Sequence, residues 1–194
     1  MTREATGNDR GTLLVVSGPS GVGKSSVVHA LTERMEFHFS VSWTTRQRRP
    51  AEIDGVDYVF VDRARFEEGI AAGGFLEWAE YSGYLYGTPR PAVLAHLDRG
   101  EHVLLDIEND GAGQVKRAYP DAVLVFVLPP SRAELERRLR SRGDTSEADI
   151  AKRLAVADAQ IAEAHQKFDH LVTNNEVAAV ADEIVSILSS ADGL

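Results

Sequence analysis

Two rhythms of apolar residues run along this chain. Leu13-Leu14-Val15-Val16, Val103-Leu104-Leu105-Asp106-Ile107 and Val123-Leu124-Val125-Phe126-Val127-Leu128 are near-continuous apolar runs, the pattern of strands buried on both faces of a parallel sheet. Other segments repeat at helical spacing. Ser25 to Leu31 does so first. Ser131-Arg132-Ala133-Glu134 then forms a capping box ahead of a Leu135/Leu139 stripe that Gly143 ends. A second box, Ser146 to Asp149, opens a helix with Ile150, Leu154, Ala157 and Ile161 on one face. A short strand around Leu171-Val172 precedes a last helix bearing Val177, Val180, Ile184 and Leu188. The alternation predicts an α/β fold with a doubly wound parallel sheet. Residues 41–88 break it: "DYVFVD" alternates like a half-exposed strand, and the stretch is rich in arginine, tyrosine and glycine. It reads as an inserted lobe that holds a second substrate. No internal repeat or long linker divides the chain, so one domain is expected.

The first strand runs into "GPSGVGKSS", Gly18 to Ser26, and then into a helix. Gly18, Gly23, Lys24 and Ser25 fit the spacing G-x-x-x-x-G-K-[ST] in the strand–turn–helix context the motif requires. Glycines let backbone amides close on phosphate oxygens, and the helix N-terminus adds positive potential. Gly18, Pro19, Ser20, Gly21, Val22, Gly23, Lys24, Ser25 and Ser26 are therefore the predicted site of a nucleoside triphosphate. Lys24 would reach the β- and γ-phosphates, and the Ser25 hydroxyl would bind Mg²⁺.

Composition narrows the partners. With 21 Lys+Arg against 30 Asp+Glu, the formal net charge of -9 argues against general nucleic-acid binding, so any anion site must be local. No cysteine is present, which excludes disulfides and thiolate metal sites. The N-terminal MTREATGNDR lacks the apolar core of a signal peptide, and no run can span a bilayer. A cytoplasmic protein without a membrane partner is expected, as a monomer or small homo-oligomer.

Within the expected lobe, "SWTTRQRRPAEIDGVDY" gathers Arg46, Arg48 and Arg49, and "FLEWAEYSGYLYGT" gathers Glu77, Tyr81, Tyr84, Tyr86 and Thr88. Arginines with a tyrosyl hydroxyl suit a dianionic phosphate, although three arginines near a turn, taken alone, favour a solvated surface. Their order settles the preference. GPSGVGKS, VSWTTRQRRPAEIDGVDYVFV, FLEWAEYSGYLYGT, LLDIE and PPSRAELERRLRSRGD follow one another as in guanylate kinase, and the chain resembles that family from about Leu13 to Asn174. The resemblance implies phosphoryl transfer from ATP to GMP with Mg²⁺. It implies a P-loop kinase core (about 11–40, 89–137 and 155–194), a GMP-binding lobe (about 41–88) and a helical lid (about 138–154). By position, Arg46, Arg49, Tyr58 and Tyr86 would hold the GMP phosphate, and Ser42, Glu77, Thr88 and Glu108 would read guanine. Arg138, Arg142 and Arg153 would act in catalysis with Lys24 and Arg46. Asn174 would touch the adenine of ATP, and Asp106 would reach Mg²⁺. Trp78 is expected in the core.

The match is not complete. Ala51 stands where the family usually has glycine, Thr88 where serine is usual, and Asn109-Asp110 where an apolar residue and glutamine are common. Asp110 is expected to add negative charge near a nucleotide. Two alternatives stay open: a same-fold kinase for another phosphorylated acceptor, such as AMP, UMP or ribose 1,5-bisphosphate, and a non-catalytic module binding phosphopeptides. The guanine readers argue against the first, and Lys24 with the lid arginines against the second.

Overall fold

The computed structural model describes residues 10–141 and 146–191. Arg142 and Gly143, to which a catalytic role and a helix stop are assigned above, lie outside the described residues. Among the described residues no helix is long and apolar enough to cross a membrane.

The phosphate loop follows β1 (Leu13–Ser17) and leads into α1 (Lys24–Thr32). β2 (His38–Phe39) precedes a segment that forms its own sheet from β3 (Trp43–Thr44), β4 (Val59–Phe60), β5 (Phe75–Tyr81) and β6 (Tyr84–Pro89), with α2 (Arg63–Ala71) between β4 and β5. The chain then resumes with α3 (Arg90–Leu97), β7 (Val103–Asp106), α4 (Asn109–Ala118) and β8 (Val123–Leu128). α5 (Arg132–Arg140), α6 (Glu147–Lys167), β9 (His170–Thr173) and α7 (Val177–Ala191) complete it.

The larger sheet is parallel, in the order β2-β7-β1-β8-β9. Both its faces are covered, which is why its strands are continuously apolar. Leu14 and Val16 pack with Val27 and Leu31 of α1 and Ile184 and Leu188 of α7. Leu13 and Val15 pack on the other side with Val93 and Leu97 of α3 and Val115 of α4. β1 is central: the chain leaves it for β2 on one flank of the sheet, and leaves β7 for β8 on the other. That arrangement opens a crevice at the carboxyl ends of the strands, where the phosphate loop lies.

The caps form as local chemistry dictates. Ser131 and Ser146 accept hydrogen bonds from the backbone of Glu134 (3.1 Å) and Asp149 (3.2 Å). Leu135 and Leu139 of α5 pack against Ile150, Leu154 and Ala157 of α6 as a separate small core.

The second sheet, in the order β4-β3-β6-β5, differs from the sequence reading in two respects. "DYVFVD" yields only the two residues of β4. Trp78 is 38% exposed rather than in the core. A register irregularity between Phe75 and Glu77 buries both Leu76 and Glu77, and strand alternation then turns Trp78 outward. Gln114 of α4 accepts from the Trp78 N–H and donates to its carbonyl, which clamps this stretch of edge strand.

Candidate active site

Two glycines fix the shape of the phosphate loop. Gly23 caps α1 with φ 95°, and a Cβ there would lie 2.7 Å from Asn174 Nδ2. Gly21 has φ 87°, and its Cβ would meet Leu139 of α5 at 2.8 Å. The loop is thus packed tightly against the helix that carries Arg138.

Val22 is the point of attachment. Its carbonyl accepts from Arg138 Nη1 (2.9 Å) and from Asn174 Nδ2 (2.8 Å), and Arg138 Nη2 reaches the Asn174 carbonyl at 3.3 Å. Glu134 holds Arg138 Nε at 2.8 Å and also pairs with Arg137. These two guanidinium groups, Arg137 foremost, lower the Glu134 carboxyl to about 2. Asn174, expected at the adenine, is buried, and its amide braces the loop from beneath.

Lys24 Nζ lies 2.5 Å from Asp106 Oδ1. The register that pairs Val16 with Asp106 brings the carboxylate level with the end of β1. Ser25 and Ser26 are exposed at the start of α1.

Next to Asp106, Glu108 caps α4 and accepts from Gln160 Nε2 of α6 at 3.0 Å. Asn109 is buried: it accepts from Ser17 Oγ (3.1 Å) and donates to the Gln160 carbonyl (3.1 Å). This departure from the family pattern therefore joins the end of β1 to α6. Asp110 points outward. Its side chain is 94% exposed, with Lys167 Nζ at 4.0 Å, so solvent screens its charge. Arg153 of α6 shares a cavity of about 350 Å³ with Ser20 of the phosphate loop, Glu108 and Gln160.

On the second sheet, pairing does what spacing cannot. Trp43 pairs with Val59 and Gly87, and Glu77 pairs with Thr88. Continuing the β3 register by one residue aligns Tyr58, Ser42, Thr88 and Glu77 in one row across four strands. Side chains in such a row share a face. Glu77 is buried at its end, and Thr88 Oγ1 donates to Oε1 at 2.6 Å. Burial pushes the Glu77 carboxyl above its ordinary range, against the opposing pull of the Thr88 hydrogen bonds. A Cβ at Gly111 of α4 would stand 3.2 Å from Oε2, so glycine leaves that oxygen room.

Beyond the row, Arg46 lies 5.6 Å from the Tyr58 ring centroid, and the Tyr58 and Tyr86 rings meet edge to face at 6.1 Å. Sequence reasoning missed what holds Arg46. Glu52 accepts from both its terminal nitrogens, at 3.0 and 2.7 Å, and from the Arg49 backbone at 2.8 Å. The bidentate bond raises the Arg46 pKa and, with the Arg49 amide, brings the Glu52 carboxyl down to about 2. The available signal was an acidic residue closing a run of three arginines. Arg49 itself extends outward, its side chain 72% exposed. Ala51 is no obstacle, because Ser82 is the only non-glycine residue with positive φ among the described residues.

Three comparisons with known proteins bear on this geometry. A family model described as guanylate kinase matches residues 10–191. A guanylate kinase of Thermus thermophilus is 52% identical over 181 residues, covering 93% of this chain and 82% of that protein. One from Thermobifida fusca is 49% identical over 186 residues, with 95% and 94% covered. The crystal structure of guanylate kinase from Anaplasma phagocytophilum superposes with a TM-score of 0.70 at 32% identity, covering 95% of this chain and 87% of that one.

Proposed function

The chain belongs to the guanylate kinase family and transfers the γ-phosphoryl group of ATP to GMP, and from that premise we propose the residues that do so. The observation that carries the assignment is the buried carboxylate of Glu77 beside Thr88. Guanine presents N1–H and N2–H₂ on one edge, and a carboxylate accepts both. Adenine offers a lone pair at N1 and nothing at C2, so it would leave a buried charge unpaired. Sites built on such bonds discriminate by ~10⁴ or more. Ser42, Thr88 and Glu108 complete the reading of the base, while Arg46, Arg49, Tyr58 and Tyr86 hold the phosphate.

The acceptor oxygen of GMP is ionised at neutral pH, so no general base is needed. The barrier is the approach of two polyanions, and positioning with charge neutralisation lowers it. Lys24 exchanges Asp106 for the β- and γ-phosphates. Arg138, packed on the loop, and Arg153, beside Ser20, neutralise the transferring group. Arg142 is assigned the same task from the family pattern alone. Mg²⁺ fits the donors at hand, because Ser25 and Asp106 offer only hard oxygen ligands. When bound, it would supply positive charge against the triphosphate. Closure of the lobe and the α5–α6 lid keeps water from taking the phosphoryl group. A cytoplasmic monomer or small homo-oligomer suits this chemistry.

ADP formation with GMP, dGMP, AMP, UMP and ribose 1,5-bisphosphate as acceptors tests the assignment. Turnover with GMP and little with AMP or UMP is expected. Equal rates with AMP would overturn the role of Glu77.

Glu52 gives a finer test. Glu52→Gln removes the anion that holds Arg46 in place, at a cost of about 1.5 kcal/mol in a charge-assisted bond. The KM for GMP is expected to rise about tenfold with kcat changed less, as in the loss of an interaction made equally in ground and transition states. An unchanged KM would show that Arg46 finds the phosphate without its brace.

A further inference from the structure

Away from the nucleotide site, His38, His96 and Glu101 are the one group of three such side chains, among the described residues, whose potential metal-ligand atoms all lie within 4.8 Å of one another. His38 opens β2, the edge strand of the parallel sheet; His96 lies in the last turn of α3; Glu101 follows in the turn to β7. Main-chain bonds hold all three positions. The His38 N–H donates to the His102 carbonyl at 2.8 Å, and the N–H groups of Arg99 and Glu101 donate to the His96 carbonyl at 3.0 and 3.1 Å. The two imidazoles stack with centroids 3.2 Å apart and planes 14° apart.

One ring nitrogen in this cluster faces incompatible neighbours. His96 Nδ1 contacts Glu101 Oε2 and also lies 2.7 Å from Arg99 Nη2. A neutral imidazole nitrogen either donates to the carboxylate or accepts from the guanidinium, never both. A metal cation satisfies both lone pairs at once. Arg99 meets that need in part, with Nε at 2.8 Å and Nη2 at 3.1 Å from Glu101, but its side chain is half-exposed, so water can take over its hydrogen bonds when a metal ion claims Glu101. A cavity of about 560 Å³ lined by Glu36, His38, Glu101 and His102 opens beside the cluster and offers an approach with room for water ligands.

We propose that His38, His96 and Glu101 form a binding site for a transition-metal dication of the Zn²⁺ class, with Arg99 as the cation it displaces. Two imidazoles and one carboxylate suit Zn²⁺, with water completing four-coordination, and they discriminate against Mg²⁺, which takes oxygen ligands. Its position gives the site a consequence. β2 leads into the second sheet and α3 begins where β6 ends, so the ion ties together the two chain crossings between core and lobe.

Zn²⁺ titration of the untagged full chain in excess Mg²⁺, by calorimetry and thermal melting, tests the site. One ion per chain is expected, with the melting temperature raised by about 5–10 °C at ~100 times the dissociation constant. His38→Ala and His96→Ala should each weaken binding at least tenfold, on the order of losing one ligand, and His29→Ala and His165→Ala should leave it unchanged. Arg99→Ala should tighten it, since the competing cation is gone. Absence of saturable binding, equal affinity in His96→Ala, or weaker affinity in Arg99→Ala would each overturn the proposal. If His96→Ala does not fold, the Arg99→Ala result decides, because a merely structural ion-pair network predicts the opposite sign.

Discussion

Lys24→Ala is expected to lower kcat for GMP phosphorylation by about 10²–10³-fold, the scale on which removal of one preorganised electrostatic contact to a transition state is felt. Lys24 stands at the start of α1, and its Nζ is held 2.5 Å from Asp106. The carboxylate keeps the ammonium at the mouth of the loop and hands it to a phosphate on ATP binding. Most of the loss should fall on kcat, because negative charge on the bridging oxygen grows in the transition state, while KM for GMP should change little. Folding should survive. Asp106 is partly exposed, so water solvates the carboxylate left behind and the melting temperature should stay within a few degrees of wild type. Steady-state rates with both substrates varied, alongside thermal melting, separate these effects. Retention of more than a tenth of wild-type kcat would remove Lys24 from the transition state.

Glu77→Gln is expected to lower kcat/KM for GMP by about 10²–10⁴-fold, since two hydrogen bonds to a buried charge at about 1.5–3 kcal/mol each are lost or reversed. Most of it should appear in KM. The unliganded protein should respond in the opposite direction. Burial disfavours the Glu77 carboxylate, so its folded-state pKa lies above the unfolded value. For an acid shifted upward the stabilising form is the protonated one. Its contribution is fully present below the unfolded pKa and is lost as pH rises through the folded pKa. The ionised carboxylate, which the Thr88 hydrogen bonds compensate only in part, is thus a cost that GMP relieves, and Glu77→Gln should melt at or above the wild-type temperature without GMP. Binding depends on pH in the same terms. KM for GMP should rise as pH falls toward the raised Glu77 pKa, and that limb should flatten in Glu77→Gln. A variant less stable than wild type, with the acid limb intact, would assign Glu77 to structure instead of base reading.

The expectations that held are those whose signal is local. The strand, turn and helix around Gly18 to Ser26 were legible because a glycine-rich stretch between an apolar run and a helical repeat marks a tight turn. Ser131 and Ser146 were legible as caps because the hydrogen bond each accepts spans three residues. The inserted lobe showed as an interruption of the apolar rhythm. Trp78 failed because strand phase, not hydrophobicity, decides which side a residue faces. The irregularity at Phe75–Glu77 that set the phase depends on pairing with β6. The exposure of Asp110 was not legible either, since the orientation of α4 carries it into solvent beside Lys167.

By itself, then, the sequence determined the parallel core, the glycine-rich turn between β1 and α1, and the helix starts at Ser131 and Ser146, through periods and offsets that act within a few residues. Tertiary structure alone decided the alignment of Thr88 and Glu77 with Ser42 and Tyr58, the residues just before β3 and β4, because the register is set by pairing between distant segments. It also decided that Glu52 holds Arg46, that Asn174 supports the loop, and that Asn109 joins Ser17 to α6. A side chain's type limits the bonds it can make, but which partner it meets is fixed only when hydrophobic burial has brought the elements together.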